Sequence, residues 1–91
     1  MEFEWDIDKN EANQKKHQIS FEEAAEIFRY PTYEIVDTRV GYGETRYIAI
    51  GSNSRMTILT VVYTQREGRI RLISARQANK QEHRLYYDYC T

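Results

Sequence analysis

The distribution of apolar and polar residues divides one segment of the chain, TILTVVYTQREGRIRLISAR (residues 57–76), into two runs joined by a turn. The first run, residues 57–63, is apolar and β-branched, a composition that favours a buried, pleated surface. A polar connection with Gly68 follows, and residues 70–75 form the second run. Two such runs, separated by a few residues with a glycine, predict a β-hairpin. We expect the rest of the chain to be arranged around this hairpin.

The N-terminal part of the chain predicts a short edge strand and then a helix. Apolar and acidic residues alternate over residues 3–6, which places Phe3 and Trp5 on one side of the strand, facing the core. Asp8, followed three residues later by Glu11, has the spacing of a helix N-cap and its capping-box partner. We therefore expect the first helix to begin at Asp8 and to end at residue 16 or 17.

A second helix is predicted from both of its ends. Ser20 and Glu23 form the capping-box pattern, and Pro31 ends the helix because the residue before a proline is disfavoured in helical geometry. Further along, the pattern predicts a strand at residues 33–37, a loop at 41–43 and a second strand at 45–50. A final helix is predicted at residues 77–89. The predicted order is β-α-α-β-β-β-β-α. We expect an α+β domain, a small antiparallel β-sheet with two N-terminal helices and one C-terminal helix.

Length and composition limit the class of protein. The chain has 91 residues, 41% hydrophobic and 30% charged, which fits a single globular domain over residues 1–91. No apolar run approaches the roughly 20 residues that span a bilayer, and the acidic, aromatic N-terminus lacks the pattern of a signal peptide. One cysteine, Cys90, cannot form an internal disulfide. We expect a cytoplasmic protein without membrane contact.

The net charge of −1 conceals an uneven distribution of charge. Residues 1–38 carry 4 basic and 10 acidic residues (−6), residues 39–76 carry 7 arginines and 2 acidic residues (+5), and residues 77–91 carry 2 of each. A basic middle segment is typical of a surface that binds phosphate groups. The alternative is that acidic helices and basic strands simply neutralise one another, and charge alone does not separate the two interpretations.

The side chains available for chemistry favour RNA cleavage without a metal or other cofactor. Two distant histidines and Cys90 lack zinc-ligand spacing, and no glycine loop has the strand-to-helix setting that cradles phosphates. In RNA the 2′-hydroxyl can attack the adjacent phosphate, so the protein need not supply a nucleophile. It must stabilise charge on the phosphoryl oxygens, which suits arginine, and transfer protons, which suits His, Glu, Lys or Tyr.

Each candidate side chain also has a structural interpretation. Arg71 and Arg76 fall on opposite faces of a regular strand, so they need not share a site. His17 can cap its own helix, and Glu44 can pair with Arg46. Tyr63 and the C-terminal tyrosines 86, 87 and 89 are more often core or partner-interface residues than catalysts. The alternative function is a non-catalytic module that binds RNA or protein through the same basic sheet face.

Short motifs occur in a fixed order along nearly the whole chain. They are Phe3-Glu4-Trp5-Asp6, Lys9, Asn13, Lys16-His17, Phe21-Glu22-Glu23-Ala24, Phe28, Pro31, Gly43-Glu44-x-Arg46, Ile50-Gly51, Val62-Tyr63-Thr64-x-Arg66, Ile70-Arg71-x-Ile73-Ser74-Ala75-Arg76, Ala78-x-x-x-Glu82 and Tyr86. Together they resemble the BrnT family of toxins from type II toxin–antitoxin modules. One position departs from the family, in which a glycine usually follows the Lys-His pair. This chain has Gln18 there, which costs about 1 kcal/mol if the backbone is left-handed.

The resemblance implies a RelE-like fold and a ribonuclease that arrests translation. It also implies a BrnA-type antitoxin with a ribbon-helix-helix part, DNA contact only through that antitoxin, and a complex that represses its own operon. Carried over by position, nine polar residues are expected at or near the active site. Of these, we take His17, Glu44, Arg66, Arg71 and Arg76 as candidates for catalysis. The candidates for substrate binding are Lys9, Arg46, Tyr63 and Ser74. We expect the three catalytic arginines to bind the scissile phosphate, and His17 or Glu44 to transfer protons.

Overall fold

The computed structural model describes residues 1–39, 41 and 43–91, and its elements follow the predicted order. The strands are β1 (Glu2–Glu4), β2 (Tyr33–Asp37), β3 (Arg46–Ser52), β4 (Ile58–Arg66) and β5 (Arg69–Gln77). The helices are α1 (Ile7–His17), α2 (Phe21–Ala25), which continues into a short 3₁₀ helix (Glu26–Arg29), and α3 (Lys80–Cys90). The predicted loop at 41–43 lies in part outside the described residues. The α+β class is confirmed.

The five strands form one sheet in the order β1-β5-β4-β3-β2. Neighbouring strands run antiparallel, except that the edge strand β1 pairs with β5 in parallel. The predicted hairpin consists of β4 and β5, joined at Glu67 and Gly68, whose φ angles of 51° and 79° are both positive. Two central residues with positive φ give a tight turn whose twist matches that of the flanking strands. The sheet is therefore mostly antiparallel, as predicted, with one parallel pair at its edge.

Local hydrogen bonds define where the N-terminal helices begin, and one predicted cap is wrong. The cap of α1 is Asp6 and not Asp8, because the Asp6 carboxylate accepts a hydrogen bond from the backbone N–H of Lys9 (3.1 Å). Asp8 lies one residue inside the helix, where its charge suits the helix dipole. The predicted Ser20 cap is confirmed, since its hydroxyl accepts from the N–H of Glu23 (3.0 Å).

The C-terminal end of α1 adopts the left-handed conformation. Gln18 has φ 58° and ψ 31°, and its N–H donates to the carbonyl of Gln14 (2.9 Å). Glycine is favoured at this position, because any other residue meets a steric penalty of about 1 kcal/mol in left-handed geometry. Gln18 therefore costs stability at this position, where the family pattern has a glycine.

The two faces of the sheet are covered unequally. On one face, α2 and the 3₁₀ helix pack around a core that includes Phe21, and Phe3 and Trp5 pack against it as predicted. On the other face, α3 packs at one end, where Tyr86 forms a core cluster with Ile50 and Ile58. Within the described ranges the longest helices have 11 residues, and none is long and apolar enough to cross a membrane.

Candidate functional site

A β-bulge places Arg71 and Arg76 on the same face of the sheet. The register between β4 and β5 shifts by one residue, which leaves one extra residue in β5 between the two arginines. Arg71 consequently pairs with Thr64 and Arg76 with Thr60, and these two partners are an even number of residues apart. The alternation of a regular strand predicts opposite faces. That prediction is wrong because the bulge takes up one residue.

Three further arginines lie on this face. Arg46 pairs with Thr64 across β3 and β4, and Arg66 pairs with Arg69 across the hairpin. Alternation along β4 puts all of these positions on the face that α3 partly covers. We call this surface the arginine face, and it consists of Arg46, Arg66, Arg69, Arg71 and Arg76. Four of the predicted site residues therefore share one surface.

Every guanidinium of the arginine face has a carboxylate neighbour. Glu44 lies 3.2 Å from Arg66 and 3.7 Å from Arg46, so one carboxylate serves two arginines. The parallel pairing of β1 with β5 brings Glu4 to 2.8 Å from Arg71, and this hydrogen bond is the main cause that lowers the pKa of the Glu4 carboxyl. Carboxylates thus neutralise much of the arginine face, and they come from β1, from the loop before β3 and from α3, not from the acidic N-terminal helices.

Several of these arginines nonetheless remain accessible. The side chain of Arg66 is 51% exposed and that of Arg76 is 44% exposed, whereas Arg46 and Arg71 are half-buried. Exposed ion pairs contribute only about 0–1 kcal/mol, since water and salt screen them. An anionic ligand can therefore compete with the carboxylates for the exposed guanidinium groups.

Arg76 is firmly oriented on the arginine face. Two of its nitrogens donate to the two carboxylate oxygens of Glu82, at 2.8 and 2.9 Å. Glu82 also accepts from the backbone N–H of Asn79 (2.9 Å), which completes the capping box at the start of α3. Burial alone would raise the pKa of the Glu82 carboxyl, but these hydrogen bonds outweigh it and the pKa lies below its ordinary value. The N-terminus of α3 thereby fixes the Arg76 guanidinium.

A second group of predicted residues lines a cleft between α1 and β5. The cleft has a volume of about 290 Å³. Its lining includes Lys9, His17 and Ser74, together with Lys16 and Ile73. Ser74 pairs with Val62 of β4, which lies on the same side of the sheet as the arginine face. Ser74 therefore borders both the cleft and the arginine face. The cleft carries cationic side chains from α1 and adjoins the bulge that aligns Arg71 with Arg76.

Asn13 fastens α1 to β5 beside this cleft. Its amide nitrogen donates to the carbonyls of Ala75 (2.8 Å) and Ile19 (2.9 Å), and its amide oxygen accepts from the N–H of Ala75 (3.1 Å). Only 7% of Asn13 is exposed. It thus holds α1, with Lys9 one turn before and His17 one turn after, against the strand residue that precedes Arg76. Sequence reasoning did not assign this role. The available signal was an asparagine within the predicted first helix.

Tyr63 lies apart from the arginine face. It is 5% exposed, belongs to the core on the opposite side of the sheet, and stacks on Tyr47 with ring centroids 5.3 Å apart. Its hydroxyl donates a hydrogen bond to Glu34. Burial, followed by this hydrogen bond, raises the pKa of Tyr63 far above its ordinary value. A role in substrate contact stays a prediction, and in the fold its ring fills the core beneath the sheet.

The candidate residues thus form two neighbouring groups, with Tyr63 outside both. The groups are the arginine face with Glu44, and the cleft that holds Lys9, His17 and Ser74. No group of three or more His, Cys, Asp and Glu side chains within the described residues could hold a metal ion. The arrangement offers hydrogen-bond donors for anionic oxygens, and two side-chain types that can carry protons, imidazole and carboxylate.

Comparison with known proteins identifies the class. A family of ribonuclease toxins of type II toxin–antitoxin systems matches residues 5–82. The chain belongs to this family, BrnT. The crystal structure of the Brucella abortus ribonuclease toxin BrnT, at 1.1 Å resolution, is similar with a TM-score of 0.65 and 23% sequence identity, over 88% of this chain and 99% of that chain. At this identity the similarity supports the fold. No curated protein matches the chain.

Proposed function

We propose that this protein is a toxin that cleaves RNA by attack of the ribose 2′-hydroxyl on the adjacent phosphate, without a metal ion. The observation that carries the proposal is the bulge, which brings Arg71 and Arg76 to one accessible sheet face beside the cleft that holds His17. Membership of a ribonuclease toxin family supports RNA as the substrate. Arg66, Arg71 and Arg76 bind the scissile phosphate in this proposal.

The chemistry needs charge stabilisation and two proton transfers. The 2′-oxygen forms a bond to phosphorus while the bond from phosphorus to the 5′-oxygen breaks. A base takes the 2′-hydroxyl proton, and an acid gives a proton to the departing 5′-oxygen. The products are a 2′,3′-cyclic phosphate and a 5′-hydroxyl. Guanidinium forks suit the extra negative charge on the phosphoryl oxygens in the transition state.

Proton transfer falls to His17 or Glu44 in the proposal. Glu44 is already within hydrogen-bond reach of Arg66 (3.2 Å), so a carboxylate stands inside the arginine face. His17 is half-buried in the cleft with Lys9 and Ser74, which we propose as contacts to the RNA backbone. Arg46, which shares the Glu44 carboxylate with Arg66, is a further phosphate contact.

Phosphate binding exchanges one anionic partner for another. In the free protein Glu44 and Glu82 orient the arginines and keep the surface close to neutral. An RNA phosphate displaces Glu44 from the exposed Arg66 at small cost, because exposed ion pairs are weak. Arg76 stays paired with Glu82 and offers the phosphate its remaining N–H groups. The displaced Glu44 carboxylate then remains next to the bound phosphodiester, in a position to accept a proton.

Membership of the toxin family supports a proposal for the cellular role. We propose that RNA cleavage inhibits translation and that a BrnA-type antitoxin with a ribbon-helix-helix DNA-binding part neutralises it. The complex represses its own operon, and the toxin contacts DNA only through the antitoxin. Expression of this chain alone in bacteria should arrest growth, and co-expression of the neighbouring antitoxin gene should restore it. Unimpaired growth with abundant folded protein would contradict the toxin role.

The enzymatic proposal is tested with purified protein and RNA in the presence of a chelator. The wild-type protein should cleave RNA. Arg76→Ala should lower the rate by about 10² to 10³-fold, the usual loss for one donor to a transition-state oxyanion. Arg55→Ala is a matched control, because Arg55 lines a separate cleft with Glu23 and Glu26. Thermal unfolding of both variants checks the fold. RNA binding without cleavage, or full activity in Arg76→Ala, would overturn the assignment.

A further inference from the structure

The side of the sheet that carries the arginine face also carries a strip of aliphatic side chains. Ile35 pairs with Ile48, and Ile48 pairs with Val62, so that the three lie side by side across β2, β3 and β4. Along β4, Val62 alternates with residues of the opposite face and lies between Thr60 and Thr64. Val62 and its partners across the sheet are therefore on the same face as the arginines. We call Ile35, Ile48 and Val62 the aliphatic strip.

Arginines flank the aliphatic strip on both sides, two on one side and one on the other. On one side, Arg46 and Arg71 pair with Thr64. On the other side, Arg76 pairs with Thr60. Thr64 and Thr60 are four residues apart on β4, which is about 13 Å along the strand. An apolar surface is therefore bordered on both sides by guanidinium groups.

Folding does not account for the position of the aliphatic strip. α3 covers the end of this face near Ile50 and Ile58, and the strip residues belong to neither core cluster. Ile48 and Val62 are half-buried in central strands, and Ile35 is 43% exposed. Apolar side chains in the middle of an exposed sheet face, flanked by charge, are typical of a binding surface.

We propose that the aliphatic strip binds the flat face of a nucleobase of single-stranded RNA, whose flanking phosphates contact Arg46 and Arg71 on one side and Arg76 on the other. This inference rests on the proposed function. A single strand of RNA alternates anionic phosphates with flat, largely apolar bases, and the surface has the same order of charge and apolar area. Unpaired bases commonly pack against apolar side chains in such sites.

The strip gives a binding preference that phosphate contacts alone do not. Arginines hold any polyanion, whereas an aliphatic floor distinguishes a strand with unpaired bases from one whose bases are absent or enclosed in a duplex. The site therefore selects single-stranded RNA, and it positions the phosphate next to the bound base over the arginine face.

Binding of oligonucleotides that cannot be cleaved tests this inference on the wild-type protein. A short DNA oligonucleotide lacks the 2′-hydroxyl, and its fluorescence anisotropy reports binding. We expect the base-bearing oligonucleotide to bind about tenfold more tightly than one of equal length and charge with abasic sites. Equal binding of the two by a protein that cleaves RNA would overturn the inference and leave the proposed function standing. Neither binding nor cleavage would overturn both.

Threonine substitutions locate the contact. The double variant Ile48→Thr/Val62→Thr keeps β-branched side chains but places hydroxyl groups in the strip. It should lose the preference for base-bearing DNA and bind the abasic oligonucleotide like the wild type. Val36→Thr is the matched control, because Val36 is 53% exposed on the other face of β2. An unchanged preference in the folded double variant would overturn the inference. Weakened antitoxin binding beside that unchanged preference would assign the strip to the protein partner.

Discussion

Removal of the Asn13 side chain should destabilise the protein more than most single substitutions. In Asn13→Ala, the N–H and carbonyl of Ala75 and the carbonyl of Ile19 lose their partner. Each hydrogen bond contributes about 1 kcal/mol net, and a buried group left without a partner costs about 1–3 kcal/mol. Water from the adjoining cleft can satisfy some of these groups, so we expect a loss of about 3 kcal/mol. This is a large part of the stability of a small domain.

The assay is urea unfolding followed by circular dichroism, with thermal unfolding alongside. A loss of about 3 kcal/mol corresponds to a fall in Tm of roughly 12–24 °C for a domain of this size. Gln14→Ala is the control, because Gln14 is an exposed neighbour on the same helix, and it should change stability by less than about 0.5 kcal/mol. If Asn13→Ala unfolds within 0.5 kcal/mol of the wild type, then Asn13 does not fasten α1 to β5.

An isosteric substitution separates the hydrogen bonds from the volume of the side chain. Asn13→Asp keeps one acceptor for the N–H of Ala75 but loses both donations and directs a negative charge at two carbonyl oxygens. Its carboxyl should therefore have a raised pKa in the folded state. The unfolded chain loses that proton at lower pH, so the penalty relative to wild type should be largest near pH 7 and shrink toward pH 5. A penalty that does not change with pH would contradict this hydrogen-bond arrangement.

Three further predictions concern stability. Gln18→Gly should raise the free energy of unfolding by about 0.5–1 kcal/mol in chemical denaturation, because it relieves the strain of a left-handed backbone. A more flexible unfolded chain offsets part of this gain. A loss of stability would refute the assigned backbone geometry. Gly51→Ala should destabilise by about 1–3 kcal/mol in the same assay, since a methyl group there would lie 2.8 Å from the Thr32 side chain; a neutral effect would mean that this packing is loose. The hydrogen bond from Arg71 holds the pKa of Glu4 below its ordinary 4.5, so the unfolded chain binds protons first and stability should fall as the pH drops below about 4.5. Glu4→Gln should reduce that fall, and an unchanged pH dependence would argue against the ion pair.

Most of the fold could be predicted because its signals are local. Ser20 with Glu23, the proline at 31, and the two apolar runs of the hairpin each define an element within a few residues. The cap of α1 was misplaced for a local reason as well. Asp6 and Asp8 are both acidic residues shortly before the helical pattern, and only the observed hydrogen bond to the N–H of Lys9 selects Asp6.

The site could be predicted only in part, because its geometry depends on pairing between distant segments. The bulge between Arg71 and Arg76 is defined by the pairing of β5 with β4. Ile73 and Ser74 are ordinary strand residues, so the sequence does not indicate a bulge there. Likewise, Glu4 reaches Arg71 only because the first strand pairs with the fifth, 67 positions later. Sequence spacing therefore indicated the local pair of Glu44 with Arg46 and not the pairs that join distant strands.

A chimeric oligonucleotide shows whether the substrate's own 2′-hydroxyl is the nucleophile. Once a cleavage position in an RNA oligonucleotide is known, a single 2′-deoxy substitution is made at the nucleotide that donates the 2′-hydroxyl. With a chelator present, mass spectrometry should find a 2′,3′-cyclic phosphate and a 5′-hydroxyl from the RNA, and no cleavage at the substituted position. Cleavage at the deoxy position, or a 5′-phosphate on the product, would mean that the 2′-hydroxyl is not the nucleophile.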